Sequence, residues 1–545
     1  MTIGQKIVKL RLGMDISQEQ LAERLGVSRQ SVSKWEMDQA LPQIDKVLLI
    51  CDLFNVSADE LLKDKIVLSK AADGENTPNK YFGTDGFRGE ANTTLTSIQA
   101  YKVGRFLGWY YSSSLSGNTK ANYRPKIVVG KDTRRSSYML EYALCSGIIA
   151  SGGDAYILHV TTTPSVSYVV RTEGFDCGIM ITASHNPFYD NGIKLINRYG
   201  EKFDDDATRL IEEYIDGNFE NLGINGDDLP FAKREKIGKI VDYVSGRNRY
   251  VGYLISLGKH SFKNFKVALD CANGASVNTT PQLLRRLGVR TITLNANPDG
   301  MFPGHYSEPT EENLSDLKRM VVEFDADLGI AHDGDADRVV FITGSGRYVA
   351  GDKSLAFLAR RMVMSNGGSG EVVTTVATSS LVGDVVSSVG GDVELTAVGS
   401  PVVARRMIED GGIFGGEENG GLIFADHQFC RDGAMGAARM LESIIRDGDL
   451  DSQLDSLPVY HTVKDAIECD PSVLGTMVDR IAELHKDEDA NRMDGLRFDY
   501  DDGWVLLRPS GTEPKFRIYS ESRDPSVARR RADEFKEEFR ALSGV

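Results

Sequence analysis

What this chain lacks narrows it first. Its 545 residues hold only six cysteines, Cys51, Cys145, Cys177, Cys271, Cys430 and Cys469. They are scattered, with no CxxC pair, which argues against a zinc knuckle and a disulfide framework and reads as six reduced thiols in a cytoplasmic protein. There is no run of about eighteen apolar residues, so neither a transmembrane helix nor a membrane partner is expected. The opening MTIGQKIVKLRLGMD has no continuous apolar stretch and is not a signal peptide. Positive charge is in deficit: the formal net charge is −16, which excludes a general nucleic-acid coater but leaves room for local basic pockets around an anionic substrate. Nor is there a clear internal sequence repeat. What remains, 41% hydrophobic and 26% charged, is the composition of a soluble globular protein, long enough for roughly three to five domains.

The pattern along the chain changes twice. Residues 1–65 read as short helices: Ser17-Gln18-Glu19-Gln20 is a capping-box pattern, Leu21, Ala22 and Leu25 share one helical face, Gly26-Val27-Ser28 makes a tight turn, and Arg29 to Glu36 form a second helix. That spacing predicts a small all-α helix-turn-helix domain. Residues 66–79 read as a linker. Beyond them short β-branched runs (KIVVGKD, DAYILHV, GIMITAS, FKVALDCANG, EVVTTVAT) alternate with helical stretches, which predicts α/β domains with mixed sheets. GWVLLRPSGTEPKFRIYSES then predicts two strands around a loop, followed by a terminal helix.

Five loops carry chemistry. Thr182-Ala183-Ser184-His185-Asn186-Pro187 follows an apolar strand, and a serine at a strand end is placed for reaction; read alone, the stretch is equally a turn built by Ser, Asn and Pro. Asp333-Gly334-Asp335-Ala336-Asp337-Arg338 brings three carboxylates to alternate positions beside a glycine, an all-oxygen set suited to Mg²⁺ or Ca²⁺. A calcium hand would need Glu twelve places along, where Gly344 stands, so Mg²⁺ is preferred. Arg508-Pro509-Ser510-Gly511-Thr512-Glu513-Pro514, with Arg517, offers the hydroxyls, open backbone and guanidinium groups that a phosphate dianion needs. Gly415-Gly416-Glu417-Glu418-Asn419-Gly420-Gly421 lets backbone, carboxylate and amide approach sugar hydroxyls. Gly83-Thr84-Asp85-Gly86-Phe87-Arg88-Gly89 and Gly130-Lys131-Asp132-Thr133-Arg134-Arg135-Ser136 are each either a phosphate-binding turn or an ordinary one.

GTDGFRG, TASHNP, DGDADR, a Gly-Glu-rich loop and RPSGTEP occur in that order, and the set resembles the α-D-phosphohexomutase family, over about residues 80 to 545. The resemblance implies four domains, three mixed α/β and a C-terminal α+β one, at 80–230, 231–345, 346–455 and 456–545, each giving one loop to a central cleft. It implies interconversion of hexose 6-phosphate and hexose 1-phosphate through a 1,6-bisphosphate, with Mg²⁺ and the bisphosphate as cofactors and sugar phosphates as partners. Residue by residue, Ser184 is the phosphoserine, Asp333, Asp335 and Asp337 the metal ligands together with the phosphoserine oxygen. Glu417 and Asn419 are the sugar-reading pair, Arg508, Ser510, Gly511, Thr512 and Arg517 the distal phosphate site. Arg88, His185, Lys194 and Arg338 stand near the reaction centre, Lys194 as candidate proton acceptor. The common bacterial form of the sugar loop, GExSGH, has a histidine where this chain has Gly421, which leaves the acid/base open; His427 and His305 are the alternatives. The sugar is also open between the glucosamine branch and the mannose/glucose branch.

Residues 3 to 62 resemble the Cro/repressor-type helix-turn-helix family, which puts Gln18, Ser28, Arg29, Gln30, Ser31, Ser33 and Lys34 where that family meets double-stranded DNA and hints at a homodimer. Residues 1–65 carry a net charge of −1, with no strong basic excess to hold phosphates. Two other functions compete: a transcriptional regulator that uses the mutase fold as a sugar-phosphate sensor, and a phosphatase built on the DGDAD run. The first idles Ser184 and three carboxylates; the second lacks a nucleophilic Asp after an early strand.

Overall fold

The computed structural model describes residues 6–7, 11, 16–36, 42, 44–54, 80–83, 85–113, 123–203, 205–222, 224, 228–258, 262–510 and 514–543. The chain divides into two compact units, one built on residues up to Pro78 and one comprising Asn79–Ser112 and Asn122–Val545. The expected linker at 66–79 and the expected loop residues Thr84, Gly511 and Thr512 lie outside the described residues.

The N-terminal unit contains α1 (Gln18–Leu25), α2 (Arg29–Glu36) and α3 (Ile44–Phe54). The expected capping box is made: the Gln20 amide donates to Ser17 Oγ at 3.2 Å and the Ser17 amide to Gln20 Oε1 at 2.8 Å, satisfying donors that a helix start leaves orphaned. Gly26 turns the chain with φ 62°, a left-handed value that glycine adopts without strain. Leu21, Ala22 and Leu25 pack with Val32, Trp35, Val47 and Ile50 in one small core.

Among the described residues the larger unit holds four sheets. The first runs β1 (Phe82–Gly83), β2 (Gly86–Glu90), β6 (Asp190–Asn197), β5 (Cys177–Ile181), β3 (Lys126–Lys131), β4 (Asp154–Val160) and β7 (Ile240–Asp242). The second runs β12 (Tyr348–Val349), β11 (Val339–Thr343), β10 (Leu328–His332), β8 (Lys266–Asp270) and β9 (Arg290–Leu294). The third runs β14 (Asp392–Thr396), β13 (Glu371–Thr375), β15 (Phe414–Gly416) and β16 (Leu422–Phe424). The fourth, all antiparallel, runs β17 (His461–Glu468), β21 (Lys515–Ser522), β20 (Gly503–Pro509), β19 (Leu496–Tyr500) and β18 (Ala490–Asn491). The boundary expected at residue 230 falls short of the first sheet's edge, because β7 pairs parallel with β4.

The near-continuous apolar strands have a physical cause: these sheets are covered on both faces. Along β3, Ile127 and Val129 join one core and Val128 another; along β5, Ile179 and Ile181 face the first and Met180 the second. β8 divides the same way, Val267 and Leu269 against Ala268, and β13 splits Val372 from Val373. Each such Val, Ile, Leu or Met side chain contributes roughly 1.5–3 kcal/mol by leaving water. The fourth sheet buries Leu496, Val505, Leu507 and Phe516 in its own core and turns Trp504 and Leu506 toward Val376 and Ala377, just beyond β13.

Although the sequence has no repeat, the fold does. The first three sheets each set parallel strands beside an antiparallel pair, β5/β6, β10/β11 and β15/β16. The fourth has the same kind of pair in β20/β21. The four motif loops are the connections of these four pairs.

Candidate active site

The serine loop sits at the end of β5. Ser184 has φ 52° and no solvent exposure, a left-handed conformation that a non-glycine residue keeps only when its surroundings impose it. The surroundings are visible. Its amide donates to Thr182 Oγ1 at 2.9 Å, and that hydroxyl donates to Asp132 Oδ2 at 2.7 Å. Arg134, fully buried, bonds Asp132 and donates to the carbonyls of Ser184 at 2.9 Å and Asn186 at 2.7 Å, and to that of Pro187. Of the two roles open for the GKDTRRS stretch, Arg134 therefore serves the protein's own backbone rather than a phosphate. Gly334 completes the fit, since a Cβ there would stand 2.4 Å from the Ser184 carbonyl oxygen.

Ser184 Oγ donates to Asp333 Oδ2 at 2.6 Å. Asp333, Asp335 and Asp337 bring carboxylate oxygens within 4.8 Å of one another, all buried. Burial and then its two neighbours push the Asp333 carboxyl well above its usual range. Burial acts on Asp335 too, but Lys194 and the Thr163 hydroxyl together outweigh it and hold that carboxyl low. Lys194 Nζ lies 3.0 Å from Asp335 Oδ2, 3.1 Å from Asp85 Oδ2 and 3.5 Å from Asp337 Oδ2. Against the desolvation, these carboxylates keep it protonated; as it stands, this residue is a counter-charge rather than a free base. Oδ1 of Asp335 and Oδ1 of Asp337 are buried with no hydrogen-bond partner. Two orphaned carboxylate oxygens beside Ser184 Oγ are what a hard divalent cation needs, so the residues fit Mg²⁺.

The flanking residues are also brought in. Arg88 donates to Asn186 Oδ1 at 3.1 Å and pairs with Asp85. His185 Nδ1 lies 3.5 Å from Ser184 Oγ, and burial, then Arg338 and Arg88, pushes its pKa down to about 2, leaving a neutral ring. The Arg338 amide donates to Asp333 Oδ1 at 3.2 Å, and residue 338 also bridges to Gly421 of the β15–β16 loop. In that loop Glu417 is buried and Asn419 Oδ1 accepts from the Gly421 amide at 3.1 Å.

Arg508 and Arg517 face each other across the end of the β20/β21 pair. Asp494 steadies Arg508 at 3.1 Å, and the Ser510 amide donates to the Lys515 carbonyl at 2.8 Å. Neither alternative histidine is bonded to the reaction centre: His427 is buried on Asp432 at 2.6 Å and stacks on Tyr253, and His305 pairs with Asp270 at 3.3 Å. In the N-terminal unit Ser28, Arg29 and Lys34 are exposed, Ser31 and Ser33 half-buried. Gln18 instead donates to Glu36 Oε2 at 2.6 Å, and the Gln30 side chain lies outside the described residues.

Sequence reading missed Thr163, which donates to Asp335 Oδ2, and Arg431, and it singled out the turns holding Asp85 and Arg134 without giving either residue its role. Arg431 bridges Glu417 at 2.9 Å and Asp337 at 2.6 Å. Its one sequence signal is a charged Arg-Asp-Gly step just after the sugar-loop strand pair.

Family models match along the chain: the phosphoglucomutase/phosphomannomutase alpha/beta/alpha domains I at 79–221, II at 248–346 and III at 350–460, and the C-terminal domain at 470–538. A helix-turn-helix model matches 7–61. The chain is 45% identical to a phosphoglucosamine mutase of Lachnospira eligens, over 81% of this chain and 94% of that one. It is 39% identical to a phosphoglucomutase/phosphomannomutase of Thermococcus kodakarensis, over 83% and 96%. Among solved structures, a phosphoglucomutase/phosphomannomutase family protein from Burkholderia thailandensis superposes with TM-score 0.72 at 25% identity, covering 85% of this chain and 97% of that one.

Proposed function

The chain belongs to the phosphoglucomutase/phosphomannomutase family of α-D-phosphohexomutases, and from that membership we propose that it isomerises hexose 6-phosphate and hexose 1-phosphate by way of phospho-Ser184 and a hexose 1,6-bisphosphate. Glucosamine phosphate is the preferred sugar, a choice supported by the 45% identity to a phosphoglucosamine mutase over most of both chains. The observation that carries the reading is Ser184 Oγ bonded to Asp333 within the ring of three buried carboxylates.

Asp333, Asp335 and Asp337, with a phosphoserine oxygen, would hold Mg²⁺, which when bound would neutralise phosphoryl charge. The protein's own part is positioning. Arg134 and Thr182 hold Ser184 in its strained conformation. Arg508, Ser510, Thr512 and Arg517 anchor the phosphate already on the sugar. Glu417 and Asn419 bind hydroxyls and so select the hexose. The bond from phosphorus to Ser184 Oγ breaks as a bond from phosphorus to the free sugar hydroxyl forms, and the hydroxyl proton leaves to a base. After the bisphosphate turns over, the other phosphoryl group returns to Ser184 by the reverse exchange, regenerating the phosphoenzyme.

Four domains, the first extended to β7, follow a DNA-binding head in residues 1–65 that acts as a dimer. Support for the head comes from exposed Ser28, Arg29 and Lys34 and the helix-turn-helix match. Six free thiols fit the reducing cytoplasm. The test is turnover of glucose, mannose and glucosamine phosphates with a 1,6-bisphosphate activator. Turnover that falls at least about a thousandfold in Ser184→Ala supports the enzyme. No turnover, with operator binding that responds to sugar phosphate, supports the sensor instead.

A further inference from the structure

Gly421 leaves the sugar loop without a side chain beside its reading pair, and the vacant room is filled from elsewhere. A Cβ at 421 would stand 2.3 Å from Arg431 Cδ and 3.2 Å from its Cγ. The backbone of Gly421 is outside the left-handed region, so the glycine here makes space rather than a twist. The stem of Arg431 lies across it. Arg431 belongs to the connection between β16 and the helix α4 (Gly433–Asp447), next to Asp432, whose place is fixed several times over. The Asp432 amide donates to the Leu422 carbonyl at 3.0 Å, and its side chain accepts from Tyr250 OH at 2.7 Å, His427 Nε2 at 2.6 Å and the Met435 amide at 2.9 Å.

From that anchored base the guanidinium reaches two loops at once. Nη1 donates to Glu417 Oε2 at 2.9 Å and Nη2 to Asp337 Oδ2 at 2.6 Å, with the side chain only 7% exposed. A planar fork serves two carboxylates in a fixed geometry; an ammonium group does not. Without it, Glu417 would lose its ion-pair partner and Asp337 would be left to Lys194 at 3.5 Å.

We propose that Arg431 is a positioning residue that fixes the sugar-reading carboxylate Glu417 to the metal loop, supplying across Gly421 the brace that the sugar loop itself lacks. The Arg bond occupies Oε2 of Glu417 and leaves Oε1 to a hexose hydroxyl. The role assigned to Glu417 rests on the mutase reading. Arg431 acts on sugar binding first, and on transfer through Asp337 second.

The experiment compares Arg431→Met, Arg431→Lys, Gly421→Ala and Gly421→Ala/Arg431→Met with the full-length wild type, measuring kcat and KM for glucosamine 6-phosphate and calorimetric binding of glucose 1,6-bisphosphate. Arg431→Met raises KM and the bisphosphate Kd by about 10- to 100-fold, the loss of a charge-assisted bond, and that rise exceeds the fall in kcat. Arg431→Lys recovers part of it. Gly421→Ala, which changes no charge, gives the same split by displacing the Arg431 stem, and the double variant is no worse than Arg431→Met alone. A wild type silent on every hexose phosphate overturns the mutase reading and this role with it. An active wild type whose KM stays within about threefold in both single variants, or additive losses in the double variant, overturns the role of Arg431 alone. If Arg431→Met does not fold, Gly421→Ala decides.

Discussion

Two strand-pair ends in this protein are built in opposite ways. At β10/β11 the carboxylates of Asp333, Asp335 and Asp337 are 0–2% exposed, and Ser184, Thr163, Lys194 and Arg431 are already bonded to them. At β20/β21, Arg508, Ser510 and Arg517 are half-buried. On the proposed function the difference follows from the work. Charges that stabilise a transition state act strongly where water is excluded and must be fixed beforehand, whereas a group that captures an incoming phosphate must be reachable. Substitutions in the first region therefore cost rate and stability together, and those in the second cost affinity.

The sharpest break in that contrast is Asp335→Asn. Losing one metal carboxylate and leaving Lys194 with a weakened partner lowers kcat by about a hundred- to a thousandfold and moves the Mg²⁺ requirement upward, which a metal titration of the initial rate reads. Arg134→Met comes next. It strands Asp132 as a buried unpaired charge, a loss of about 3 kcal/mol or more in urea unfolding, and it lowers kcat with little change in KM, since Arg134 holds Ser184 and not the sugar. Arg508→Met gives the opposite signature: KM for hexose phosphate rises about 10- to 100-fold with a smaller change in kcat and an unfolding midpoint close to wild type, read by steady-state kinetics and urea unfolding.

The smallest effect is one of pH. Burial opposes the charge on His305, but the facing Asp270 carboxylate outweighs it and raises its pKa; burial likewise opposes the charge on Asp270, and His305 with neighbouring hydrogen-bond donors outweighs it and holds that carboxyl down. The raised histidine contributes stability that is complete below its ordinary 6.5 and is lost as pH rises through its folded value. The lowered carboxyl contributes stability present above its ordinary 3.8 and lost as pH falls through its folded value. Wild type therefore loses stability more steeply than His305→Gln as pH is raised above neutral, measured by urea unfolding at each pH, with turnover unaffected by the substitution. A catalytic His305 would instead show in kcat.

Much of both regions was legible because their residues are neighbours in sequence. Asp333, Asp335 and Asp337 alternate within five residues, Arg508 and Ser510 sit two apart, and the box at Ser17–Gln20 closes on itself. The apolar runs of β3, β8 and β13 announced strands covered on both faces. What stayed hidden depends on long-range pairing. The four loops are equivalent because of strand order and direction, which no local pattern encodes. Lys194 meets Asp335 across 141 positions, Arg431 meets Asp337 across 94, and Arg134 reaches Ser184 across 50. The two alternative histidines depend on geometry of the same kind: His427 and His305 pair with Asp432 and Asp270, and the space at Gly421 is taken by the Arg431 stem.

The account turns on Ser184 as the carrier of the phosphoryl group. Incubating the protein with glucose 1,6-bisphosphate labelled in both phosphates, then digesting it and mapping the label, tests this directly. The prediction is label on the peptide containing Ser184, discharged to sugar when unlabelled hexose phosphate is added and absent from Ser184→Ala. Label on an aspartate, or turnover of hexose phosphate by Ser184→Ala at the wild-type rate, would contradict it.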